Sequence, residues 1–314
     1  MALTPVMVMS GDTEEILPAW EEVDLKRLSG VLMVVGTSDV GKSTFARYLF
    51  RRLCKSSAGV AYLDGDPGQS TLGPPSTMTL ALARDGDDTF PPCGPVWRGF
   101  VGSVSPAGHM LPMLTVAACL TGAAQKAGAQ VIIYDTTGLV DPSRGGIALK
   151  LGKIDLLRPS LLVAIQRERE LEPLLAPLRR SRRLQVVEFP PSPAARYRER
   201  DERQANRAER FAGYFNNASN LSVNWPQFAV FPAPRFHLHR LVSLEDENGH
   251  ALALGIVTEI DRISRRVRLQ TPLTSLSGVD AIRLGDLVVD PETFRDQRLS
   301  LVEREQQGAG ADCV

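Results

Sequence analysis

Four short runs in the chain are almost wholly apolar: residues 31–35 (Val-Leu-Met-Val-Val), 60–63 (Val-Ala-Tyr-Leu), 131–134 (Val-Ile-Ile-Tyr) and 161–165 (Leu-Leu-Val-Ala-Ile). Runs of this length without polar alternation predict strands buried on both faces. Between them the period changes. Phe45, Leu49 and Leu53 recur at helical spacing over 42–54, and residues 111–127 carry the same periodicity. Strands alternating with helices predict an α/β fold, a parallel sheet with helices on both faces. A short strand is expected over 100–103, leading into Ser105-Pro-Ala-Gly-His109, and the Asp-, Gly- and Pro-rich residues 85–95 read as a loop. After Leu221 the texture shifts to short alternating runs at 228–231, 253–257 and 267–271, with turn signals at Glu247-Asn-Gly249 and Leu284-Gly-Asp286. That pattern predicts a small, barrel-like β-rich domain. The expected organisation is an N-terminal extension (1–29) with Trp20 as its anchor, an α/β domain (30–220), a β-rich domain (221–300) and a disordered tail (301–314).

Composition narrows the class. With 43% hydrophobic residues the chain has enough apolar content for a sizeable core, and its 36 basic and 36 acidic residues cancel. Global charge therefore advertises neither nucleic acid nor an anionic membrane, and any basic surface must be local. Cys54, Cys93, Cys119 and Cys313 are far apart, with no Cys-x-x-Cys pair. That argues against a zinc site or a disulfide framework and for reduced cysteines. No apolar run reaches about 18 residues, and no basic leader precedes an apolar stretch, so a cytoplasmic protein without a membrane anchor is expected.

The chemistry begins where the first strand ends. Residues 36–44 read Gly-Thr-Ser-Asp-Val-Gly-Lys-Ser-Thr, directly after a buried strand and before a helix. This is a phosphate-binding loop in its proper setting. Gly36, Thr37, Ser38, Asp39, Val40 and Gly41 offer curled backbone N–H groups to an anion, and Lys42 reaches the β/γ-phosphates. Ser43 can hold Mg²⁺, and the helix opened by Ser43 and Thr44 points its positive end at the same place. The second strand ends in Asp64-Gly-Asp66-Pro-Gly-Gln69-Ser70. Two acids at i and i+2 near such a loop can divide the work, one holding the metal and the other taking a proton from an incoming hydroxyl. The third strand ends in Asp135-Thr-Thr-Gly138-Leu139, a γ-phosphate-sensing pattern also found in GTPases. Because ligands of open α/β sheets bind at the carboxyl ends of the strands, Gly36, Asp64 and Asp135 should converge on one crevice. A guanine-reading Asn-Lys-x-Asp is missing after the fourth strand, where Gln166-Arg-Glu-Arg-Glu170 stands, and this opposes a GTPase-like switch.

Local basic charge is concentrated over 179–210, with Arg at 179, 180, 182, 183, 196, 198, 200, 203, 207 and 210. On a helix, Arg203, Arg207 and Arg210 share one face. A cationic helix hinged over a phosphate site neutralises the transferring group and excludes water. The same residues could instead pair with Glu199, Glu202 and Glu209 on a solvated helix.

Taken together, Gly36-x-x-Asp39-Val-Gly-Lys-Ser-Thr44, Asp64-x-Asp66-x-Gly-Gln69, Thr136-x-Gly138 and Arg198-x₄-Arg203-x₃-Arg207 resemble the polynucleotide 5′-hydroxyl kinase family, P-loop RNA and DNA 5′-kinases related to those of pre-mRNA cleavage and ribosomal RNA processing. The resemblance runs in order over residues 25–290. It implies transfer of the γ-phosphate of ATP to the 5′-hydroxyl of RNA or DNA. It also implies that Lys42 and the loop bind phosphates, Ser43 with Asp66 serves Mg²⁺, Asp66 activates the hydroxyl and Gln69 orients water or substrate. Arg198, Arg203 and Arg207 fall on the family's lid, and Thr136 and Gly138 on the clasp that brackets the loop lysine. Leu139 stands where the family has Trp, and the short segment before the loop matches the compact prokaryotic type. The nucleic acid would be gripped by the lid, the clasp or the β-rich domain, with His109, Trp97, Arg144 and Arg167 as further contributors. Some relatives bind ATP and phosphorylate nothing, so an ATP-binding scaffold is the alternative, and the intact Lys42, Asp66 and arginine set favours catalysis.

Overall fold

The apolar run at 31–35 extends in both directions to become β1 (Gly30–Gly36). The structure, a computed structural model, describes residues 17–24, 28–56, 59–84, 86–87, 89–193 and 195–299, so the expected tail and most of the N-terminal extension lie outside the described residues. After β1 come α1 (Lys42–Cys54), β2 (Val60–Gly65), β3 (Thr77–Leu82), β4 (Val96–Phe100), α2 (Met110–Lys126) and β5 (Val131–Thr136). They are followed by α3 (Gly146–Leu157), β6 (Leu161–Ile165), α4 (Glu172–Arg179) and β7 (Gln185–Phe189). These strands form one sheet in the order β4-β3-β2-β5-β1-β6-β7. From β2 to β7 every neighbouring pair is parallel, and β3 joins β2 antiparallel. Trp20 is fully buried, its ring 5.2 Å from Phe45 and 5.5 Å from Tyr48 of α1. The strand expected over 100–103 lies earlier, at β4, because Gly102 takes a left-handed φ of 76° and turns the chain.

The chain divides into two compact units. The first reaches to Gly73 and resumes over Thr77–Gly99 and Ser105–Glu199; the second comprises Pro74–Ser76, Phe100–Val104 and the chain from Arg200. The division thus falls earlier than residue 220, with α5 (Arg200–Phe215) and β8 (Ser219–Asn224) in the β-rich unit. The rest of that unit is β9 (Ala229–Phe231), β10 (Arg240–Glu245), β11 (Ala251–Asp261), β12 (Arg266–Thr271), β13 (Ala281–Val289) and β14 (Asp296–Arg298).

The second sheet runs β14-β13-β10-β11-β12-β8, with β9 added parallel to β13. Among the described residues this path has two ends, an open sheet where a barrel was expected. Its core gathers Phe100, Phe211, Phe215, Leu241, Leu254, Ile256 and Leu287. The signal at 247–249 is a turn, with Gly249 at φ 77° and the Asp246 Oδ1 accepting the N–H groups of Asn248 and His250. Leu284-Gly-Asp286 is not a turn but the middle of β13. Gly285 is there for room: a Cβ would sit 2.8 Å from the Phe100 ring, 3.0 Å from the Leu241 carbonyl and 3.2 Å from that of Gly102.

That crowding sets an expectation. Gly285→Ala should lower the unfolding free energy by about 1–3 kcal/mol through overpacking, measured by urea titration. Gly122→Ala in α2, where a Cβ meets nothing within 4 Å, should raise it by about 0.5–1 kcal/mol.

Candidate functional site

The phosphate loop is shaped by two close approaches. A Cβ on Gly36 would lie 2.5 Å from the Ile165 carbonyl and 2.8 Å from Val40, so the last residue of β1 has no room for a side chain. Asp39 and Gly41 then take left-handed φ values of 59° and 93°, which fold the loop back to the start of α1. No side chain caps α1, so its first-turn N–H groups remain oriented for an anion. The Lys42 ammonium donates to the Thr37 carbonyl at 2.6 Å, holding the lysine along its own loop. Asp39 ties two outside segments to this turn. Its carbonyl accepts from Arg167 Nη2 at 2.8 Å, and its Oδ2 accepts the Arg198 backbone N–H at 3.1 Å.

Strand register supplies the acids. Asp64 pairs with Asp135 across β2 and β5, and Asp135 pairs with Val34 across β5 and β1. Both carboxylates are buried. Asp64, expected beside the metal, spends Oδ2 on its own loop, accepting the Ser70 and Thr71 hydroxyls and the Thr71 and Leu72 N–H groups. Burial still raises its pKa against those bonds. Asp66 Oδ1 accepts the N–H groups of Gly68 (2.9 Å) and Gln69 (3.2 Å), which fixes the turn and leaves the second oxygen out of it. The Gln69 side chain folds onto the Gly68 carbonyl.

Asp135 is the acid whose place in the site the motif reading understated. Burial raises its pKa to about 6, opposed by Lys42 and the Ser43 hydroxyl, with Asp64 and Asp66 adding repulsion. Tyr62 donates to its Oδ2 at 3.2 Å, while Oδ1 is buried without a hydrogen-bond donor among the described residues. A bare carboxylate oxygen beside Ser43 fits a hard divalent ion, and Mg²⁺ takes only one or two carboxylates alongside substrate phosphates. Ser43 and Asp135 are the groups here that could hold such an ion, whereas Asp64 Oδ2 is already taken up by its own loop.

The Thr136–Gly138 segment sits on the phosphate loop, since a Cβ on Gly138 would lie 2.6 Å from the Ser38 backbone nitrogen. Thr136 Oγ1 donates to the Val34 carbonyl at 2.7 Å and accepts from Lys150 Nζ at 2.6 Å; the same ammonium donates to the Thr137 carbonyl. Lys150 and Lys153 are both fully buried on α3, and burial lowers the pKa of each. Neither was singled out from sequence. The available signal was lysine in the helical stripe Ile147, Lys150, Ile154, where a core residue belongs.

The arginine-rich stretch is not one lid helix. Arg179 closes α4 and pairs with Glu172 and Glu188, the latter on β7. Arg198 precedes α5 and is anchored at Asp39. Arg203 and Arg207 belong to α5, whose Phe211 and Phe215 are buried in the β-rich unit. Arg207 forms a bidentate pair with Asp296 at 2.8 and 3.1 Å and is largely buried there, which removes its guanidinium from the expected phosphate set.

Comparison with known proteins bears on the family and the fold. The family model described as mRNA cleavage and polyadenylation factor CLP1 P-loop matches residues 36–217. A polyribonucleotide 5′-hydroxyl-kinase of Pyrococcus furiosus is 27% identical over 340 residues, covering 90% of this chain and 93% of the relative. One of Methanocaldococcus jannaschii is 30% identical over 216 residues, covering 69% of this chain and 58% of the relative. The human polynucleotide 5′-hydroxyl-kinase NOL9 is 44% identical over 73 residues, 22% of this chain and 10% of that protein. Among solved structures, Clp1p in its complex with Pcf11p superposes with a TM-score of 0.64 at 13% identity, covering 84% of this chain and 75% of that one, a likeness of fold.

The Gly138 contact is testable. Gly138→Ala should weaken ATP binding by about tenfold, ~1.4 kcal/mol, in a calorimetric titration, and lower the melting temperature as well, because the added Cβ meets the Ser38 backbone.

Proposed function

The chain belongs to the family of the mRNA cleavage and polyadenylation factor CLP1 P-loop, and we propose that it is an ATP- and Mg²⁺-dependent polynucleotide kinase that phosphorylates 5′-hydroxyl ends. The observation that carries this reading is Asp66. Its carboxylate stands at the tip of the strand beside β5, one oxygen holding the turn and the other left for an acceptor. A phosphate loop alone binds a nucleotide; a carboxylate placed in this way serves a hydroxyl.

In this reading the loop amides and Lys42 hold the triphosphate, and Arg198, tethered to Asp39, supplies positive charge near it. Ser43 and Asp135 would hold Mg²⁺, whose chemistry is to neutralise charge on the phosphates, while the second Asp66 oxygen is kept for the acceptor. The acceptor oxygen attacks the γ-phosphorus in line, its proton passes to Asp66, and the bond to the β-phosphate oxygen breaks to release ADP. Catalysis rests on positioning and charge neutralisation, with no covalent enzyme intermediate. The proposed partner is a nucleic acid with a 5′-hydroxyl end. Among the described residues no helix is long and apolar enough to cross a membrane.

With γ-labelled ATP and Mg²⁺, the protein should label a 5′-hydroxyl oligonucleotide, tested as RNA and DNA side by side and with GTP as the competing donor. Lys42→Ala should abolish labelling, and Asp66→Asn should lower kcat by about 10²–10⁴-fold, the usual worth of a general base. A wild type that binds ATP yet labels neither polymer would restore the scaffold reading.

A further inference from the structure

A triphosphate on the phosphate loop has a direction. Its reacting end belongs beside Asp66 and Asp135, on the β2 and β5 side of β1 in the sheet order. The phosphates form a chain, so the nucleoside leaves the loop on the other side, toward β6 and β7. Both strands run parallel to β1, and the segments that follow them emerge at the same edge of the sheet.

Those two segments are fastened to the phosphate loop. After β6, Arg167 Nη2 donates to the Asp39 carbonyl at 2.8 Å, and the Arg167 N–H is held by Glu170. After β7, Ser192 packs near Gly41, where a Cβ would fall 3.8 Å from the Ser192 Cβ. The chain turns there, with the Ala195 N–H on the Ser192 carbonyl, and returns to the loop at Arg198, whose N–H reaches Asp39 Oδ2. Tyr197 thus stands one residue from a hydrogen bond to the phosphate loop, within the same compact unit. It is 72% exposed, the most open aromatic among the described residues, against 44% for Phe231. A single exposed ring is ordinary on a protein surface. A ring held on the nucleoside side of a phosphate loop offers a flat apolar face where a flat base must lie.

We propose that Tyr197 is the stacking platform for the base of the nucleotide held in the phosphate loop. Arg167, bonded to the same loop residue, bounds this site from the β6 side. The inference rests on the nucleotide-binding half of the reading above and assigns Tyr197 no part in phosphoryl transfer.

The experiment uses the full chain with Tyr197→Ala and Tyr197→Phe. Two probes are titrated calorimetrically with Mg²⁺ present: ATP, and inorganic tripolyphosphate, which carries the phosphates and no base. Tyr197→Ala should raise the Kd for ATP by about 5- to 30-fold, the worth of one base on one ring face. The same variant should keep the wild-type Kd for tripolyphosphate and the wild-type Tm. Tyr197→Phe, which retains the ring, should bind both probes as the wild type does. An unchanged Kd for ATP in Tyr197→Ala overturns the proposal; a raised KM for the oligonucleotide in that case assigns the ring to the acceptor. Equal losses for ATP and tripolyphosphate also overturn it, because the ring then only holds its segment against the loop. So does a Tyr197→Phe variant as weak as Tyr197→Ala, which would credit the hydroxyl. A wild type that binds ATP but labels no 5′-hydroxyl end overturns the kinase reading and leaves this test intact.

Discussion

The parallel register of β1, β5 and β2 forces ionised groups together out of water, and the rest of the site answers that constraint. Asp64 and Asp135 are cross-strand partners, and the phosphate loop leaves the neighbouring strand beside them. Two buried carboxylates this close repel each other and lose hydration. Asp64 is compensated by donors from its own loop. Asp135 is compensated by Lys42, Ser43 and Tyr62, incompletely enough that its pKa stays near 6. Unequal compensation gives the two acids different work: Asp64 shapes the turn, and Asp135 keeps an oxygen in reserve.

The same crowding explains the small residues. Gly36 and Gly138 bring backbone against backbone, at Ile165 and Ser38, where a side chain would hold the loop open. Lys150 then locks the arrangement from below by bonding two consecutive residues of the segment that touches the loop. A single threonine hydroxyl thus joins three strands and helices: it gives its hydrogen to β1, takes one from α3, and belongs to β5.

Much of this was legible in the sequence because the signals were local. The four apolar runs became β1, β2, β5 and β6, and the helix over 42–54 appeared with those bounds. The loop residues 36–44 and the Asp66 turn carry their geometry in their own composition. What the sequence concealed depended on partners distant along the chain. β7 is hidden by Gln185 and Glu188, and Glu188 makes sense only beside Arg179. Gly285 resembled a turn residue until Phe100 was placed against it. Arg207 looked like lid charge because nothing in its own helix reveals Asp296, far along the chain. Lys153 was invisible for the opposite reason: a charged residue in an apolar stripe reads as a flaw in the pattern until the Tyr134 ring beneath it is known.

The β-rich unit is made from three stretches of chain, two of which lie inside the α/β sequence. Phe100 contributes a buried ring to its core, and the Gly102 carbonyl accepts the Asp286 N–H at 2.8 Å. A segment starting at Arg200 therefore carries the strands of that unit without all of its interior. In inheritance, the unit is not a cassette that one recombination breakpoint can move. Any lineage that replaced it had to replace residues 74–76 and 100–104 as well, or remodel the interior around their loss. The two units are bound to a shared history by the path of the chain.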